Sequence, residues 1–439
     1  MENKKLPIAI IGGGPVGMAA AAHLVKRDED FILLESGEQA GANVLNWGHV
    51  RIFSPWRYNI DKAAEELLVA SGWQSPDKEG LPTGEELFKF YLKPLSEHPK
   101  IKPKLLTNTK VISIGRKGTD KMKSSGRDSL PFVLQVVQNN TNTLIEARAV
   151  IDASGTWQNN NPLGSGGIFA FGELNNSDRI TYGIPDVLGA FKERYKNKSV
   201  LVVGGGHSAI NSILELHKLQ ELYPDTQIHW ILRKKNIKEI YGGQENDALP
   251  ARGALGIKIE QLINDNRLSV YTPFQVHEIL LGGDKLTITG LQHDVKKALG
   301  GIDEIISNTG TRPDLSFLRE VRVDFDSTVE SVPALADLID PNIHSCGTVR
   351  PHGEAELRQK EKDFYIVGMK SYGRAPTFLM ATGYEQVRSV VAALAGDWEA
   401  AGKVELDLPE TGVCSSDSDS GGACCGTEDT SAKNKNSCC

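Results

Sequence analysis

Two glycine-rich loops constrain this chain most, because each follows an apolar strand and opens a helix. The first is Gly12-Gly13-Gly14-Pro15-Val16-Gly17, after Ile8 to Ile11, and the second is Gly204-Gly205-Gly206-His207-Ser208-Ala209, after Val200 to Val203. In such a loop the first glycine allows a tight turn and the second lets the backbone approach a pyrophosphate. The third position, where Ala is also accepted, lets helix and strand pack closely. The pyrophosphate then meets free amides and the positive end of the helix.

Two such loops in one chain predict two bound dinucleotides, and therefore hydride transfer from one cofactor to the other. The alternative is that one of them is a plain glycine turn. The predicted cofactor-binding residues in the loops are Gly12, Gly14, Gly17, Gly204, Gly206, Ser208 and Ala209.

The residues after the next strand of each unit differ in charge. The strand Phe31 to Leu34 ends at Glu35, which lies 18 residues beyond Gly17. That is close to the spacing of about 20 residues expected for a carboxylate that binds a ribose hydroxyl. The strand Ile228 to Leu232 is followed instead by Arg233 and Lys234. Basic residues there can accommodate a 2′-phosphate, which favours NADPH over NADH. The alternatives are a solvated strand end and a solvated basic loop.

Composition excludes several classes of protein. The net charge is −7 and no long basic run occurs, which argues against nucleic acid as a partner. No apolar stretch reaches the roughly 18–20 residues that span a bilayer. Glycines interrupt the apolar run near the N-terminus, which argues against a signal peptide. All six cysteines lie at or after Cys346, and five lie in the last 26 residues. The body therefore has no disulfide framework, and we expect a cytoplasmic location.

The order of the elements predicts an α/β fold with two Rossmann-like dinucleotide-binding domains, one inserted in the other. An apolar run, 147–151, leads into the small residues around Gly155, and the segment 305–313 around Gly310 has a similar pattern. A later strand, 364–367, ends at Gly368, and a helix-like stretch, 377–394, closes the body. The predicted divisions are 1–160 and 306–400 for the first domain, 165–305 for the inserted domain, and 409–439 for a disordered cysteine-rich tail.

These elements together resemble the two-dinucleotide-binding flavoprotein superfamily over roughly residues 6–400. It includes flavin-containing monooxygenases, N-hydroxylating monooxygenases and pyridine nucleotide-disulfide reductases. The resemblance implies FAD at the first loop, NADPH at the second, and linker motifs at 151–156 and 305–313. Trp47 looks like the tryptophan of the superfamily's glycine-to-tryptophan segment near the flavin, the alternative being core packing.

The body contains a single cysteine, Cys346, and this lack of a thiol pair argues against a simple disulfide reductase, which carries a redox pair beside the flavin or in the NADPH domain. A monooxygenase needs no such pair, because a soft nucleophile such as nitrogen, sulfur or trivalent arsenic attacks oxygen activated by the reduced flavin. Two subgroup signatures depart from their usual form. Phe169 to Gly172 lacks the spaced histidine of flavin-containing monooxygenases, and an N-hydroxylase-like Ala381 to Tyr384 falls in the closing helix.

The segment 344–374 is dense in polar side chains and precedes the closing helix, which suggests a substrate pocket. The candidate catalytic residues there are Cys346, His352, Lys370, Tyr372 and Arg374. The alternative is a surface loop with one buried thiol.

The tail carries five cysteines, two pairs of them adjacent, and thiolates bind soft ions such as Cu(I), Hg(II), Zn(II) or trivalent arsenic. The candidate metal ligands are Cys414, Cys424, Cys425, Cys438 and Cys439. We interpret the tail as a capture or delivery arm, the alternative being a passive tail.

A narrower resemblance is to the flavin monooxygenases found with arsenic-resistance genes, on the stretches 182–185, 368–376 and 409–414. It implies oxidation of trivalent arsenicals, organic ones included, by molecular oxygen. The leading hypothesis is thus an FAD- and NADPH-dependent monooxygenase acting on a small molecule, with a thiophilic metal or metalloid at the tail and neither nucleic acid nor membrane as partner. The alternatives are an NADPH-dependent reductase that uses the tail cysteines and a non-catalytic metalloid-binding protein.

Overall fold

The computed structural model describes residues 6–247, 249–341, 351–375 and 378–406. The predicted tail and Cys346 lie outside these residues. The strands of the described part are β1 (Ile8–Ile11), β2 (Phe31–Leu34), β3 (Leu105–Leu106), β4 (Thr109–Arg116), β5 (Phe132–Gln138), β6 (Thr141–Ala147), β7 (Ala149–Asp152), β8 (Ile180–Tyr182), β9 (Ser199–Val203), β10 (Gln227–Ile231), β11 (Ser269–Tyr271), β12 (Phe274–Gly282), β13 (Lys285–Gln292), β14 (Val295–Ile302), β15 (Glu304–Ser307) and β16 (Phe364–Ile366).

The α-helices of the same part lie between and after these strands. They are α1 (Pro15–Lys26), α2 (Ala42–Leu45), α3 (Lys62–Val69), α4 (Gly84–Leu87), α5 (Lys93–Glu97), α6 (Lys192–Tyr195), α7 (His207–Leu222), α8 (Pro250–Asn264), α9 (Pro333–Ile339), α10 (Glu354–Leu357), α11 (Met380–Leu394) and α12 (Trp398–Gly402). No helix among the described residues is both long enough and apolar enough to cross a bilayer.

The first sheet has the order β16-β7-β1-β2-β3, and its strands are parallel. All four residues of β1 are buried, as expected for the centre of a parallel sheet covered on both faces. Because β16 pairs with β7, a strand from late in the chain completes a sheet that begins at residue 8. The chain therefore returns to its first sheet after making a second one.

The second sheet has the order β11-β10-β9-β15-β8 and is also parallel. The prediction that the inserted unit ends at residue 305 is wrong in detail, because that boundary cuts β15. Ile306 and Ser307 pair with Val202 and Val203 of β9, so they belong to the second sheet. An apolar run that is buried between two strands stays with its sheet, and the return begins after Ser307. Two three-stranded antiparallel sheets, β4-β5-β6 and β12-β13-β14, complete the strands described.

The closing helix starts later than predicted. The sequence pattern suggests a helix from Thr377, but α11 begins at Met380 and Leu379 before it is extended, with φ −110° and ψ 148°. Thr377 itself lies outside the described residues. Within α11, a Cβ on Gly383 would lie 2.6 Å from a methyl carbon of Val16. The small residue thus lets α11 rest on the first turn of α1, next to the first glycine-rich loop. Apart from these two boundaries, the predicted α/β fold with two Rossmann-like sheets is confirmed.

Candidate dinucleotide sites

A cavity of about 660 Å³ lies at the carboxyl edge of the first sheet. Its walls come from the loop after β1 and from the residues that follow β2, β7 and β16. In open parallel sheets, ligands bind outside the carboxyl ends of the strands, so the position is the expected one. The volume falls in the range of roughly 300–1,000 Å³ typical of small-molecule sites.

The three glycines of the first loop have the conformations that their predicted tasks require. Gly12 has φ +98°, and a Cβ there would lie 2.7 Å from the carbonyl oxygen of Ala153. A Cβ on Gly17 would lie 1.9 Å from the carbonyl oxygen of Gly12, so only glycine lets α1 approach β1 this closely. Gly14 lines the cavity, has open space where a Cβ would point, and begins α1 without a side-chain cap. Amide groups at such a helix start are suited to bind a phosphate.

Glu35 lies buried in the cavity wall at the end of β2. Its Oε2 accepts a hydrogen bond of 2.6 Å from the Gly13 amide, and its Oε1 accepts one of 2.7 Å from the Gly37 amide. A carboxylate can accept about four hydrogen bonds, so both oxygens keep capacity for ribose hydroxyls. The predicted ribose acid therefore also fixes the glycine-rich loop.

Part of the cavity wall is aromatic and apolar. Trp47 and Trp157 both line it, with ring centroids 6.4 Å apart and planes tilted by 53°. A Cβ on Gly84 would lie 2.7 Å from the Trp47 ring, so the backbone at Gly84 packs directly against the indole. Phe378 and Met380 complete this wall. Trp47 thus lines the cavity, as predicted for a residue near the flavin, and Trp157, which the sequence patterns did not single out, faces it.

Of the predicted catalytic residues, the structure describes His352, Lys370, Tyr372 and Arg374, and it brings none of these four into the cavity. Lys370 is fully buried behind the wall, and its Nζ is 2.7 Å from Oδ2 of Asp152. His352 and Tyr372 are buried against each other, with ring centroids 5.5 Å apart, and burial raises the pKa of the Tyr372 phenol. Arg374 is exposed. Among the described residues 351–374, only Gly368 and Met369 reach the cavity, because the 3₁₀ turn Gly368–Tyr372 directs Lys370, Ser371 and Tyr372 into the core.

A buried glutamine holds this turn in place. Oε1 of Gln386 accepts a hydrogen bond of 2.6 Å from the Gly368 amide, and its Nε2 donates one of 2.9 Å to the Ser371 hydroxyl. Nε2 of His352 lies 2.8 Å from the same amide nitrogen. His352 therefore supports the wall instead of facing a substrate. The only sequence signal for Gln386 is a polar residue on the buried face of a predicted helix.

The second loop has the same backbone features in a more open setting. Gly204 has φ +135°, and a Cβ there would lie 2.2 Å from the carbonyl oxygen of Asn308. Gly206 faces open space and begins α7 without a side-chain cap. Ser208 is exposed, and Ala209 is fully buried where helix and strand meet.

The basic residues after β10 lie at the surface beside this loop. Arg233 and Lys234 are exposed, and Nζ of Lys234 is 3.5 Å from a carboxylate oxygen of Glu239. Gly310 has φ +85° and is exposed, whereas its neighbour Thr311 lines the first cavity and shares a hydroxyl–hydroxyl hydrogen bond of 2.8 Å with Thr156. Gly310 therefore shapes the linker between the sheets and does not itself line the cavity.

An aromatic contact joins the second loop to the first unit. The ring of Phe53, from the segment that also carries Trp47, lies 5.5 Å from the ring of His207 at the start of α7. The Arg252 guanidinium lies 6.0 Å from the Phe53 ring and pairs in two places with Asp247, at 2.7 and 2.8 Å. No sequence pattern indicated this contact, because its partners are distant in the chain.

The predicted metal ligands cannot be placed, because all five tail cysteines lie outside the described residues. Within 6–247, 249–341, 351–375 and 378–406, no group of three or more His, Cys, Asp or Glu is arranged to hold a metal ion.

Known proteins share this architecture. Residues 9–337 match the family described as pyridine nucleotide-disulphide oxidoreductase. A curated relative, ferredoxin–NADP reductase 2 of Latilactobacillus sakei subsp. sakei (strain 23K), is 23% identical over 364 residues, which cover 81% of this chain and 89% of the relative. The bacillithiol disulfide reductase of Bacillus cereus has a TM-score of 0.67 at 17% identity, covering 90% of this chain and 99% of that one. A cadaverine monooxygenase of desferrioxamine biosynthesis from Erwinia amylovora, solved with FAD, has a TM-score of 0.64 at 13% identity, covering 93% and 99%.

The fold and the two loops thus define a flavin-dependent oxidoreductase of the two-dinucleotide class. The chain belongs to the pyridine nucleotide-disulphide oxidoreductase family. The comparisons confirm an oxidoreductase that uses FAD and NADPH, as predicted.

Proposed function

We propose that this protein is an FAD- and NADPH-dependent monooxygenase that oxidises a small soft nucleophile. The observation that carries the proposal is that none of the described residues lining the cavity is a cysteine. The sequence contains no cysteine before Cys346. Without a thiol pair beside the flavin, electrons from NADPH lack the usual acceptor of a disulfide reductase, which favours oxygen.

The order of the strands supports a direction for FAD in the cavity. Glu35 follows β2 and would bind the ribose, and the amides at Gly14 and the start of α1 would bind the pyrophosphate. The walls after β7 and β16 lie on the other side of β1, and three strand spacings from β2 to β16 amount to about 14 Å. The flavin ring would then lie toward β7 and β16, on the side where Trp157 follows β7 and lines the cavity.

NADPH would bind at the second loop, with its pyrophosphate at the start of α7 and its 2′-phosphate near Arg233 and Lys234. In domain terms, we propose that residues up to 160 and from 308 to 400 form the FAD domain, with the NADPH domain inserted between them. The region from 409 would be a tail attached to the FAD domain. A cytoplasmic location fits the lack of a cysteine pair in the body and is part of the proposal.

When bound, the flavin supplies the redox chemistry, and the chain supplies position and a dry surface. The apolar wall of Trp47, Trp157, Phe378 and Met380 would keep water from the ring end of the cavity. A soft nucleophile with apolar substituents suits such a wall, because it loses little hydration on entering. We propose a trivalent arsenical as the favoured substrate, organic ones included, within an arsenic-resistance function.

In this proposal the cysteine-rich tail captures the substrate. Thiolates bind trivalent arsenic and other thiophilic ions, and the five tail cysteines provide two adjacent pairs. The tail would raise the concentration of substrate near the enzyme and take no part in electron transfer.

The test is NADPH oxidation by the purified holoprotein, with and without oxygen, in the presence of arsenite or methylarsenite. We expect oxygen uptake that is coupled to NADPH oxidation and stimulated by the substrate. Truncation after Leu408 should raise KM for the arsenical and leave kcat unchanged. Flavin reduction by NADPH without any substrate-stimulated oxygen uptake, across a panel of soft nucleophiles, contradicts the proposal.

A second candidate is an NADPH-dependent reductase of a disulfide or thiophilic metal. Two observations favour it: the family includes disulphide oxidoreductases, and the tail carries adjacent cysteines that could pass electrons outward. It predicts turnover with a disulfide or metal ion that persists without oxygen and disappears on truncation after Leu408. These outcomes are the reverse of those expected for the monooxygenase.

A further inference from the structure

A buried ion pair lies directly behind the cavity wall, at the ends of β7 and β16. Nζ of Lys370 is 2.7 Å from Oδ2 of Asp152, and both side chains are fully buried. Oδ1 of the same carboxylate accepts hydrogen bonds from the amide and the hydroxyl of Ser154, at 3.1 and 2.6 Å. Nζ of Lys370 also donates to the Ser154 hydroxyl, at 3.1 Å. The three groups form a closed arrangement, and Ser154 is the member that lines the cavity.

The ammonium group contacts the cavity wall in a second place. Nζ of Lys370 lies 4.3 Å from the centre of the Phe317 ring, and Phe317 lines the cavity. One layer of side chains therefore separates this charge from the cavity. Charges act strongly over such distances in a protein interior, because little water is present to screen them.

The positive charge of Lys370 also affects the pKa of Asp314, a neighbouring carboxyl in the same wall. Burial alone would raise the pKa of Asp314, but hydrogen bonds from Ser316 and the charges of Lys370 and Lys110 hold that pKa below its usual value. Asp314 lines the cavity.

A purely structural role explains this pair less well. Replacing a buried ion pair by apolar residues is often neutral or stabilising, so stability alone gives weak grounds for burying both charges. The pair lies instead at the β7 and β16 side of the sheet. The flavin ring would lie on this side in the proposed orientation of FAD. A cation near a flavin favours its reduced, more negative form, and an anion disfavours it.

We propose that Lys370 and Asp152 are positioning residues that set the reduction potential of the bound FAD through their opposite charges. Lys370 raises the potential, Asp152 lowers it, and Ser154 fixes the distance of both from the cavity. The inference rests on the proposed direction of FAD and does not depend on which substrate or acceptor the enzyme uses.

The test is the midpoint potential of the FAD in purified holoprotein, measured by equilibration with reference dyes. Lys370→Met leaves the Asp152 carboxylate without its cation, so the potential should become more negative. Asp152→Asn leaves the cation, so the potential should become more positive. We expect each change to alter the equilibrium constant for reduction at least about tenfold, which is about 30 mV for a two-electron couple.

Two further variants separate charge from folding. The double variant Lys370→Met/Asp152→Asn removes both charges and should return the potential close to that of the wild type, even if the single variants fold poorly. Lys370→Arg keeps the charge and should shift the potential little. The control is Lys285→Met in the second unit, where Nζ of Lys285 is 2.5 Å from Asp303, and it should leave the potential unchanged.

The inference would be overturned if Lys370→Met and Asp152→Asn shifted the potential in the same direction, or if neither single variant shifted it. This readout is independent of oxygen and of arsenicals. A failed monooxygenase assay with opposite shifts in potential would therefore refute the proposed reaction and leave the role of the pair standing.

Discussion

The two glycine-rich loops have the same backbone design in opposite surroundings. In the first loop Gly13 and Val16 are buried, and the Glu35 carboxylate holds the Gly13 amide. In the second loop the four residues 205–208 are all exposed. Gly14 and Gly206 both begin a helix without a side-chain cap, so each loop offers free amides to an anion. Both loops therefore offer the same backbone groups to a ligand, and they differ in how far the surrounding protein encloses them.

This difference in enclosure distinguishes a site for a cofactor that stays bound from a site for a cofactor that exchanges. A dinucleotide in an enclosed cavity buries most of its surface and leaves slowly, whereas one on an open loop can leave after each hydride transfer. The enclosed loop thus suits FAD, and the open loop suits NADPH. The contact between Phe53 and His207 is where the enclosed part of the molecule touches the open loop.

The charged groups of the two units differ in the same way. In the first unit, Glu361 pairs with Arg116 and Arg127, each at 2.8 Å, and all three side chains are about 1% exposed. In the second unit, Glu304 pairs with Arg194 at 2.6 Å, and these side chains are 14% and 29% exposed. We therefore expect the free energy of unfolding to fall much more when the buried group around Glu361 loses a partner than when the Glu304–Arg194 pair does.

The largest expected effect is therefore that of Glu361→Gln. It leaves two buried guanidinium groups without their anion, and breaking a buried ion pair typically costs about 3–5 kcal/mol. The matched variant Glu304→Gln, in a partly exposed pair, should cost about 1 kcal/mol or less. Urea unfolding of both holoproteins measures the difference. If the free energy of unfolding fell equally in the two variants, the buried charges of the first unit would contribute no more to stability than the partly exposed pair of the second unit.

Acid should affect the two carboxylates in opposite directions. Burial favours a higher pKa for Glu361, but Arg127 and Arg116 hold that pKa below its usual value. Its stabilising contribution is therefore present above the ordinary glutamate pKa of about 4.3 and lost as pH falls through the lowered folded pKa. Burial raises the pKa of Glu304 despite Arg194, so its protonation favours the folded state as pH falls.

The measurement is the free energy of unfolding between about pH 5.5 and 3.5. Glu361→Gln should flatten the loss of stability below roughly pH 4.3. Glu304→Gln should instead remove a gain of stability that the wild type makes as the pH falls toward about 4.3. Parallel curves for the wild type and Glu361→Gln would contradict the assignment of a lowered pKa to this carboxyl.

The third prediction compares the loops directly by adding one methyl group to each. Gly14 and Gly206 have negative φ angles, −75° and −95°, and open space at the Cβ position, so alanine should leave both folds intact. Gly14→Ala places a methyl group where a pyrophosphate should approach, and we expect FAD affinity to fall at least about tenfold. Gly206→Ala should retain FAD and raise KM for NADPH.

FAD release on dilution, followed by flavin fluorescence, and steady-state kinetics with NADPH give the two readouts. Loss of FAD from Gly206→Ala, with full retention in Gly14→Ala, would reverse the assignment of the cofactors to the loops.

The sequence predicted the loops well because their physical demands are local. The turn at Gly12, the close packing at Gly17 and the buried Ala209 each depend on a few neighbouring residues, and the period of the apolar runs identifies the strands. The boundary at residue 305 was wrong because an apolar run does not reveal which of two sheets it joins. That depends on pairing of β15 with β9, about 100 residues earlier in the chain.

The candidate site was harder to predict, because its polar residues act over long separations in the chain. Asp152 and Lys370 meet at adjacent strand ends although 218 residues separate them. A cluster of polar residues in the sequence suggested that His352 and Tyr372 face a substrate, but the turn at Gly368–Tyr372 directs Tyr372 inward, and His352 is buried against the Tyr372 ring. Of the two tryptophans in the cavity wall, only Trp47 was indicated by the sequence, through its likeness to the superfamily's glycine-to-tryptophan segment. No local pattern distinguished Trp157.

The smallest expected effect concerns the surface charges beside the open loop. Arg233→Ala combined with Lys234→Ala should lower kcat/KM for NADPH about tenfold, because each hydrogen bond from a charged group to a phosphate contributes modestly where water competes. The value for NADH, which lacks the 2′-phosphate, should change little, and FAD content should stay the same. The control Lys238→Ala removes an exposed lysine from the same region and should alter neither value. An equal fall for both nucleotides would mean that these residues attract anions in general, and the open loop would then owe its preference for NADPH to other groups.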